Sequence, residues 1–349
     1  MEAGYREETE ARGVVVLGDM RGLYHHGCEA VIAELLRGLG SCGLGASRVL
    51  PGLDWERWRN ECLEADLVVI NGEGALHHDR PAVAGVIGLA EERRGKGRPT
   101  VLLNSSWFAN DAGFARRLAA FSLVVARERT SARTIRDGGG PGVEVVPDLA
   151  FVHALRLGIS HRGGKVCQVS DSTDAASTVR LRRLASRRAW EYLPVLAAPE
   201  ADRAGAKARK IRRRVGWLRK CGPLGAVLAG PRYHAHLVGE PDVSGYLARL
   251  AAAGGVVSGR FHTVCFAIGL RVPFLALPSN TGKIEALVAD AGLDPGVRVV
   301  PWSRIESVEE VPPFGEAERV ALDRFAGEAL ARADRMFAEL GRSFGSAVY

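Results

Sequence analysis

Through the first half of the chain, short apolar runs rich in β-branched residues alternate with stretches of helical period. The runs at 14–17, 48–50, 66–70, 100–103, 123–126 and 143–146 predict strands, and 27–39, 55–64, 81–95, 112–120 and 129–137 predict helices. Such alternation predicts a parallel, doubly wound α/β sheet. Trp55, Trp58 and Cys62 recur at helical spacing and read as a helix face packed on that sheet. After a polar connection at 156–164 a second strand-helix series begins, with strands predicted at 165–169, 226–229, 255–258 and 273–276. Beyond the Pro312-Pro313 break, Leu322, Phe325, Ala329, Ala333, Met336, Phe337 and Leu340 form an apolar stripe on a terminal helix that closes back onto the body. The expected division is 11–155, 156–310 and a closing helix at 311–341.

The 349 residues are 47% hydrophobic and 25% charged, more chain than one compact core serves, which fits two domains. Six cysteines lie far apart with no C-x-x-C pair, so no disulfide is expected. The polar, acidic N-terminus lacks the features of a signal peptide, and the most apolar later run is broken by Arg271 and Pro273, so a cytoplasmic, soluble protein is expected. The net charge of +7 favours anionic ligands without naming one.

The informative pattern is where polar and glycine-rich residues fall. In open parallel sheets ligands bind beyond the carboxyl ends of the strands. Gly18-Asp19, Asn71-Gly72-Glu73-Gly74, Asn104-Ser105-Ser106, Arg127-Glu128, Asp148, Arg260 with His262, and Pro278-Ser279-Asn280-Thr281 each follow a predicted strand. One such loop is ordinary turn chemistry; seven opening on the same edge point to a site. At 256–263 an apolar strand runs into Gly259 and sets Arg260 and His262 at a helix start, where a fixed cation, a titratable imidazole and unpaired N–H groups suit a carboxylate or phosphate.

The order of these motifs resembles the polysaccharide pyruvyl transferase family over nearly the whole chain. The loop 22–30 is similar to the family's N-x-G-D-E-A opening, and 71–78 resembles its second glycine loop. Residues 126–131 match an R-E-x-x-S element, 146–151 a P-D-x-x-F element and 259–262 a G-R-x-H element. The resemblance implies two Rossmann-like doubly wound domains facing across a cleft, a GT-B-like plan. It also implies transfer of the enolpyruvyl unit of phosphoenolpyruvate onto two sugar hydroxyls, giving a pyruvate ketal and phosphate, with no cofactor beyond that donor. On this footing Arg260 meets the donor's carboxylate or phosphate and His262 is general acid or phosphate partner, with Glu73 completing the catalytic group. Arg127, Lys283, Ser279 and Asn280 fall on the donor side; His77, His78, Asn104, Asp148 and His25 fall on the acceptor side. Glu29 reads as structural. Two departures stand out: His25 replaces the usual asparagine and Cys28 the usual aspartate, so Glu73 or a histidine takes over that aspartate's role or the chemistry shifts.

Other patterns carry less. Residues 279–283 look like a P-loop, but Leu277 holds its first-glycine position and Ile284 follows the lysine. The pairs His25-His26 and His77-His78 and the His234-x-His236 spacing suggest a metal, yet adjacent histidines are expected to point apart and no metal framework is present, so a metal-free site is preferred. From Arg203 to Lys220 there are nine basic residues and no acidic one, continuing a basic trend from Arg180. That run over 180–220 is a solvated helix face, or a dock for a lipid-phosphate-linked acceptor, an anionic membrane or an acidic glycan. Nucleic acid is not expected, since few aromatics interleave. The expected partners are a small-molecule donor and a sugar, glycan or glycolipid acceptor. Two rival readings are a GT-B glycosyltransferase using a nucleotide-activated sugar and a non-catalytic protein of the same fold that binds an anionic partner.

Overall fold

The computed structural model describes residues 13–74, 76–198 and 206–348, and side chains at 206–208, 223, 226, 231, 232 and 346–348 are left undescribed. Six strands, β1 (Val14–Asp19), β2 (Ala46–Pro51), β3 (Leu67–Asn71), β4 (Thr100–Ser105), β5 (Leu123–Ala126) and β6 (Glu144–Val145), form an all-parallel sheet in the order β2-β1-β3-β4-β5-β6. A second parallel sheet holds β7 (Cys167–Ser172), β8 (Glu191–Tyr192), β9 (Gly255–Gly259) and β10 (Phe274–Ala276) in the order β10-β9-β7-β8. The two Rossmann-like sheets face each other across a cleft lined from both sides, which is the GT-B plan.

The central strands β1, β3 and β4 are almost continuously apolar because both of their faces are covered, whereas the edge strand β2 exposes Ser47 and Arg48. Successive side chains alternate, so Val14, Val16, Leu67 and Val69 enter one core cluster while Val15, Leu17, Val68 and Ile70 enter the opposite one. Trp55 and Cys62 lie in that second cluster, with Trp58 packed against it. The first cluster does not stop at the domain junction. It continues through the helix Leu149–Arg156 into the helix Phe261–Leu270, so one apolar body joins the two sheets.

Two elements differ from the sequence expectation. Residues 226–229 are not a strand: the helix Pro223–Leu228 covers most of them, because Pro223 at its first turn fixes a helical φ and lacks only an N–H that the turn would leave unpaired. The edge strand β8, two residues long, carries too short a pattern to be legible.

The helix Glu316–Val348 follows the second sheet in sequence yet returns to the first domain. Its buried stripe includes Leu322, Ala329, Ala333, Met336, Phe337 and Leu340, and the Phe337 ring lies over Gly38 of the helix His26–Ser41. Arg156, at the end of the helix Leu149–Arg156, ties that helix to both, pairing with buried Glu34 at 2.8 Å and with Asp334. Phe337→Ala is therefore expected to destabilise the protein by about 3–5 kcal/mol, the usual cost of emptying a buried aromatic site. Urea unfolding checks this, and a change below about 0.5 kcal/mol, as at an exposed position, would contradict the packing.

Candidate active site

The predicted loops do meet at the carboxyl edges of both sheets, and the closest meeting is between two helix starts. His25 is the N-cap of the helix His26–Ser41, accepting from Gly27 N–H at 3.0 Å through Nδ1. Facing it is the first turn of the helix Phe261–Leu270, capped by Arg260. A Cβ on Gly27 would stand 2.1 Å from Cγ of His262, so only glycine lets the imidazole approach this backbone. The His25 and His262 rings meet edge to face at 5.1 Å.

That approach carries His262 from the second domain onto carboxylates of the first. Its Nε2 lies 3.4 Å from Glu73 Oε1 and 3.8 Å from Asp148 Oδ1, buried and without a well-formed hydrogen bond to either. Glu73 Oε1 also accepts from the Cys28 thiol at 3.1 Å, and Oε2 from the Asn71 amide at 3.4 Å. Cys28 thus offers a neutral donor to Glu73 and adds no negative charge to a crowded site.

Burial, reinforced by the charge of Asp148, raises Glu73 from the ordinary carboxylic range to about 7. Burial also pushes His262 well below an ordinary imidazole, with Arg127, Lys283 and Arg260 adding to the effect. Near neutrality, then, the carboxyl is partly protonated and the imidazole is neutral, so Glu73 can donate a proton and His262 can accept one. His25 is lowered well below its ordinary value by burial and by His262 and Arg260, as its acceptor role toward Gly27 requires.

The cations divide into committed and open ones. Arg127, expected on the donor, is buried: it donates to Asp148 at 2.8 Å and Ser106 at 2.6 Å and stacks 4.2 Å over the Phe261 ring. Asp148 in turn caps the helix Leu149–Arg156. Arg260 is held by Asp171 Oδ2 through Nε at 2.7 Å and Nη2 at 2.5 Å, and it lines a cavity of about 450 Å³ with His25, Asp171, Leu196 and His236. Lys283 makes no ion pair among the described residues and opens on a cavity of about 370 Å³ with Ser172, Thr173, Phe261, Ser279 and Trp302. Burial and the nearby Arg127 lower its ammonium to about 8.

Several residues expected to bind ligand are occupied otherwise. Asn104 is buried with φ +53° and its amide oxygen accepts from Leu149 N–H at 3.0 Å, fixing the start of a helix. Ser279 bonds Glu285 through both N–H and Oγ, while Asn280 is exposed at the rim of the cavity. Adjacent His77 and His78 do not point apart: a φ of +55° at His78 turns its Nδ1 to within 2.7 Å of that of His77, next to Phe108 at the edge of the cleft. Glu29 faces His26 at 3.2 Å. Asp171, missed in the sequence, is the residue that holds Arg260; the polar run Ser170-Asp171-Ser172 at the end of β7 was its signal.

A buried carboxyl that holds its proton makes stability depend on pH. Between about pH 4.5 and 7 the folded chain keeps a proton that the unfolded chain has released, so stability falls as pH rises through that window. Glu73→Gln removes this penalty, and its stability relative to the parent protein should grow by about 2–3 kcal/mol between pH 4.5 and 8. Urea titrations at the two pH values check it; a difference independent of pH would contradict a raised Glu73.

Comparison with known proteins agrees with the residue pattern. No curated protein matches the chain in sequence. Among solved structures, a UDP-glucosyltransferase from Polygonum tinctorium shares 11% identity at a TM-score of 0.49, over 95% of this chain and 98% of that one. An uncharacterised protein from Klebsiella pneumoniae subsp. pneumoniae NTUH-K2044 shares 13% at 0.45, over 83% and 92%, and an alpha-glucosyltransferase in complex with UDP shares 10% at 0.42, over 95% and 94%. The profile described as polysaccharide pyruvyl transferase matches residues 23–281, from the loop that carries His25 and Gly27 through β10 to Ser279 and Thr281. The chain belongs to the polysaccharide pyruvyl transferase family.

Proposed function

We propose that the protein transfers the enolpyruvyl group of phosphoenolpyruvate to two hydroxyls of a sugar in a cell-surface polysaccharide or its precursor, forming a pyruvate ketal. The observation that carries this reading is a carboxyl raised to about 7 in contact with a neutral imidazole, with a lysine nearby that has no ion pair among the described residues, in a chain of this family.

The chemistry needs a proton for the methylene carbon, a base for the attacking hydroxyl and cations for the donor's two anionic groups. Glu73, as the acid, protonates the methylene carbon, and the first sugar hydroxyl attacks the carbon that bears the phosphate. Neutral His262 takes the proton of that hydroxyl and returns it to Glu73 across their 3.4 Å contact. The carbon–oxygen bond to phosphate then breaks, the second hydroxyl closes the ketal, and its proton leaves with the phosphate. Lys283 meets the donor's phosphate, and the edge of Arg260 not used by Asp171 meets its carboxylate. Arg127 acts by holding Asp148 beside His262. His25, His77 and His78 stand where acceptor hydroxyls enter, whereas Asn104 serves the site from behind by fixing the helix that Asp148 caps.

Phosphoenolpyruvate should raise the melting temperature, because a ligand that binds only the folded state stabilises it by mass action. Stabilisation by nucleotide sugars and none by phosphoenolpyruvate would overturn the assignment. Glu73→Gln should lower kcat by about 10²–10⁴-fold, the range for loss of a general acid, while Lys283→Ala should act chiefly on the KM for the donor. The pH profile follows from the same two groups. Glu73 loses its proton above about 7 and Lys283 its charge above about 8, so phosphate release should fall as pH rises through 7–8. A rate that climbs through that window would contradict the roles given to both.

A further inference from the structure

The segment from Arg203 to Gly239 contains no acidic residue, and ten of its residues are lysine or arginine. Its central helix, Ala206–Lys220, is two-sided. Ile211, Val215 and Leu218 are buried, with Ile211 and Val215 packed against Tyr24 and Ala197, while Arg209, Lys210, Arg213, Arg214, Trp217, Arg219 and Lys220 face outward. A solvated basic face would need nothing more.

The next turn of chain adds apolar surface. The helix Pro223–Leu228 folds back on the first so closely that a Cβ on Gly225 would stand 1.9 Å from the carbonyl oxygen of Leu218. The hairpin therefore holds its outward residues in fixed relation. Leu224 is 59% exposed, Val227 80% and Leu228 47%, and Trp217 is 46% exposed with the Arg214 guanidinium 4.6 Å over its ring. Monomeric proteins expose single hydrophobic residues freely, but Leu224, Val227 and Leu228 fall at helical spacing on one short helix, directly after a helix that exposes Trp217 and six lysines and arginines, and that combination is matched to a particular surface.

We propose that this hairpin docks the protein on an anionic lipid bilayer. Trp217, Leu224, Val227 and Leu228 enter the headgroup boundary, where a tryptophan ring is at home, and the flanking arginines and lysines meet lipid phosphates. Neither half suffices alone: a nucleic acid would use the cations and leave the aliphatic tip in water, and an apolar protein groove would leave the cations unpaired. The position fits a membrane enzyme. Arg212 reaches Tyr24 Oη at 3.4 Å, and Tyr24 adjoins His25, so the docking helix rests on the loop that borders the 450 Å³ cavity. An acceptor sugar carried on a lipid phosphate would reach His25 and Arg260 from this side. That consequence rests on the pyruvyl-transfer reading; the docking itself does not.

The test is co-sedimentation of the full chain with vesicles, without donor or acceptor, so that its outcome is independent of turnover. Vesicles of phosphatidylcholine with about a third phosphatidylglycerol should bind at least about tenfold more strongly than phosphatidylcholine alone, and raising the salt should weaken that binding. Arg213→Glu with Arg214→Glu, and separately Leu224→Ser with Val227→Ser, should each weaken it by about tenfold or more, with circular dichroism confirming that both variants fold. Should either pair fail to fold, Trp217→Ala, at an exposed position, supplies the same comparison. Equal binding to neutral and anionic vesicles, parent and variants sedimenting alike, or hairpin-dependent binding of an oligonucleotide without vesicle binding would each overturn the proposal.

Discussion

The contact on which the site depends is the seating of one helix start against another across the domain junction. Gly27 gives up its side chain so that His262 can lie on the backbone of the helix His26–Ser41. Every distance that matters to the proposed chemistry follows from it, because Glu73 and Asp148 hang from the first sheet and His262 from the second. The shared apolar body around the helix Leu149–Arg156 and the returning helix Glu316–Val348 keep the two sheets from drifting apart. A loosely linked pair of domains would leave a 3.4 Å contact between their side chains at the mercy of hinge motion.

Electrostatics sharpen what the geometry permits. Three acidic or basic groups of ordinary sequence type take unusual protonation because they are buried together: Glu73 moves up to about 7, His262 down, and Lys283 down to about 8. Burial is the leading cause in each case, so a closed, poorly hydrated cleft sets the chemistry more than any single ion pair. The thiol of Cys28 belongs to the same balance. A further carboxylate 3 Å from Glu73 would raise the cost of a negative Glu73 still more, whereas the thiol donates a hydrogen bond that favours it.

Much of this was legible in the sequence, and the parts that were not share a physical reason. Periodicity predicts the strands of the first sheet, the rule that ligands gather at carboxyl edges puts Glu73, Asp148, Arg260 and His262 at strand ends, and the family resemblance implies that the two sets face each other across a cleft. Pairing was not legible. Nothing local says that Arg127 is spent on Asp148, that Ser279 is spent on Glu285, or that Asp171 supports Arg260, because each bond joins residues whose relation is set by folding. The turn at His78 needed a positive φ that histidine adopts under tertiary constraint, and 226–229 read as a strand because a four-residue apolar run carries no period.

The central claim is that Glu73 titrates near neutrality, so that a protonated carboxyl is available within reach of His262. Carbon-13 NMR of the protein labelled at glutamate carboxyls, with Glu73→Gln to assign the signal, measures this directly. A Glu73 resonance that titrates with a midpoint near 7 is the predicted result. A midpoint in the ordinary carboxylic range, about 4.3, would show that the carboxyl is ionised at neutral pH and would remove the acid from the proposed reaction.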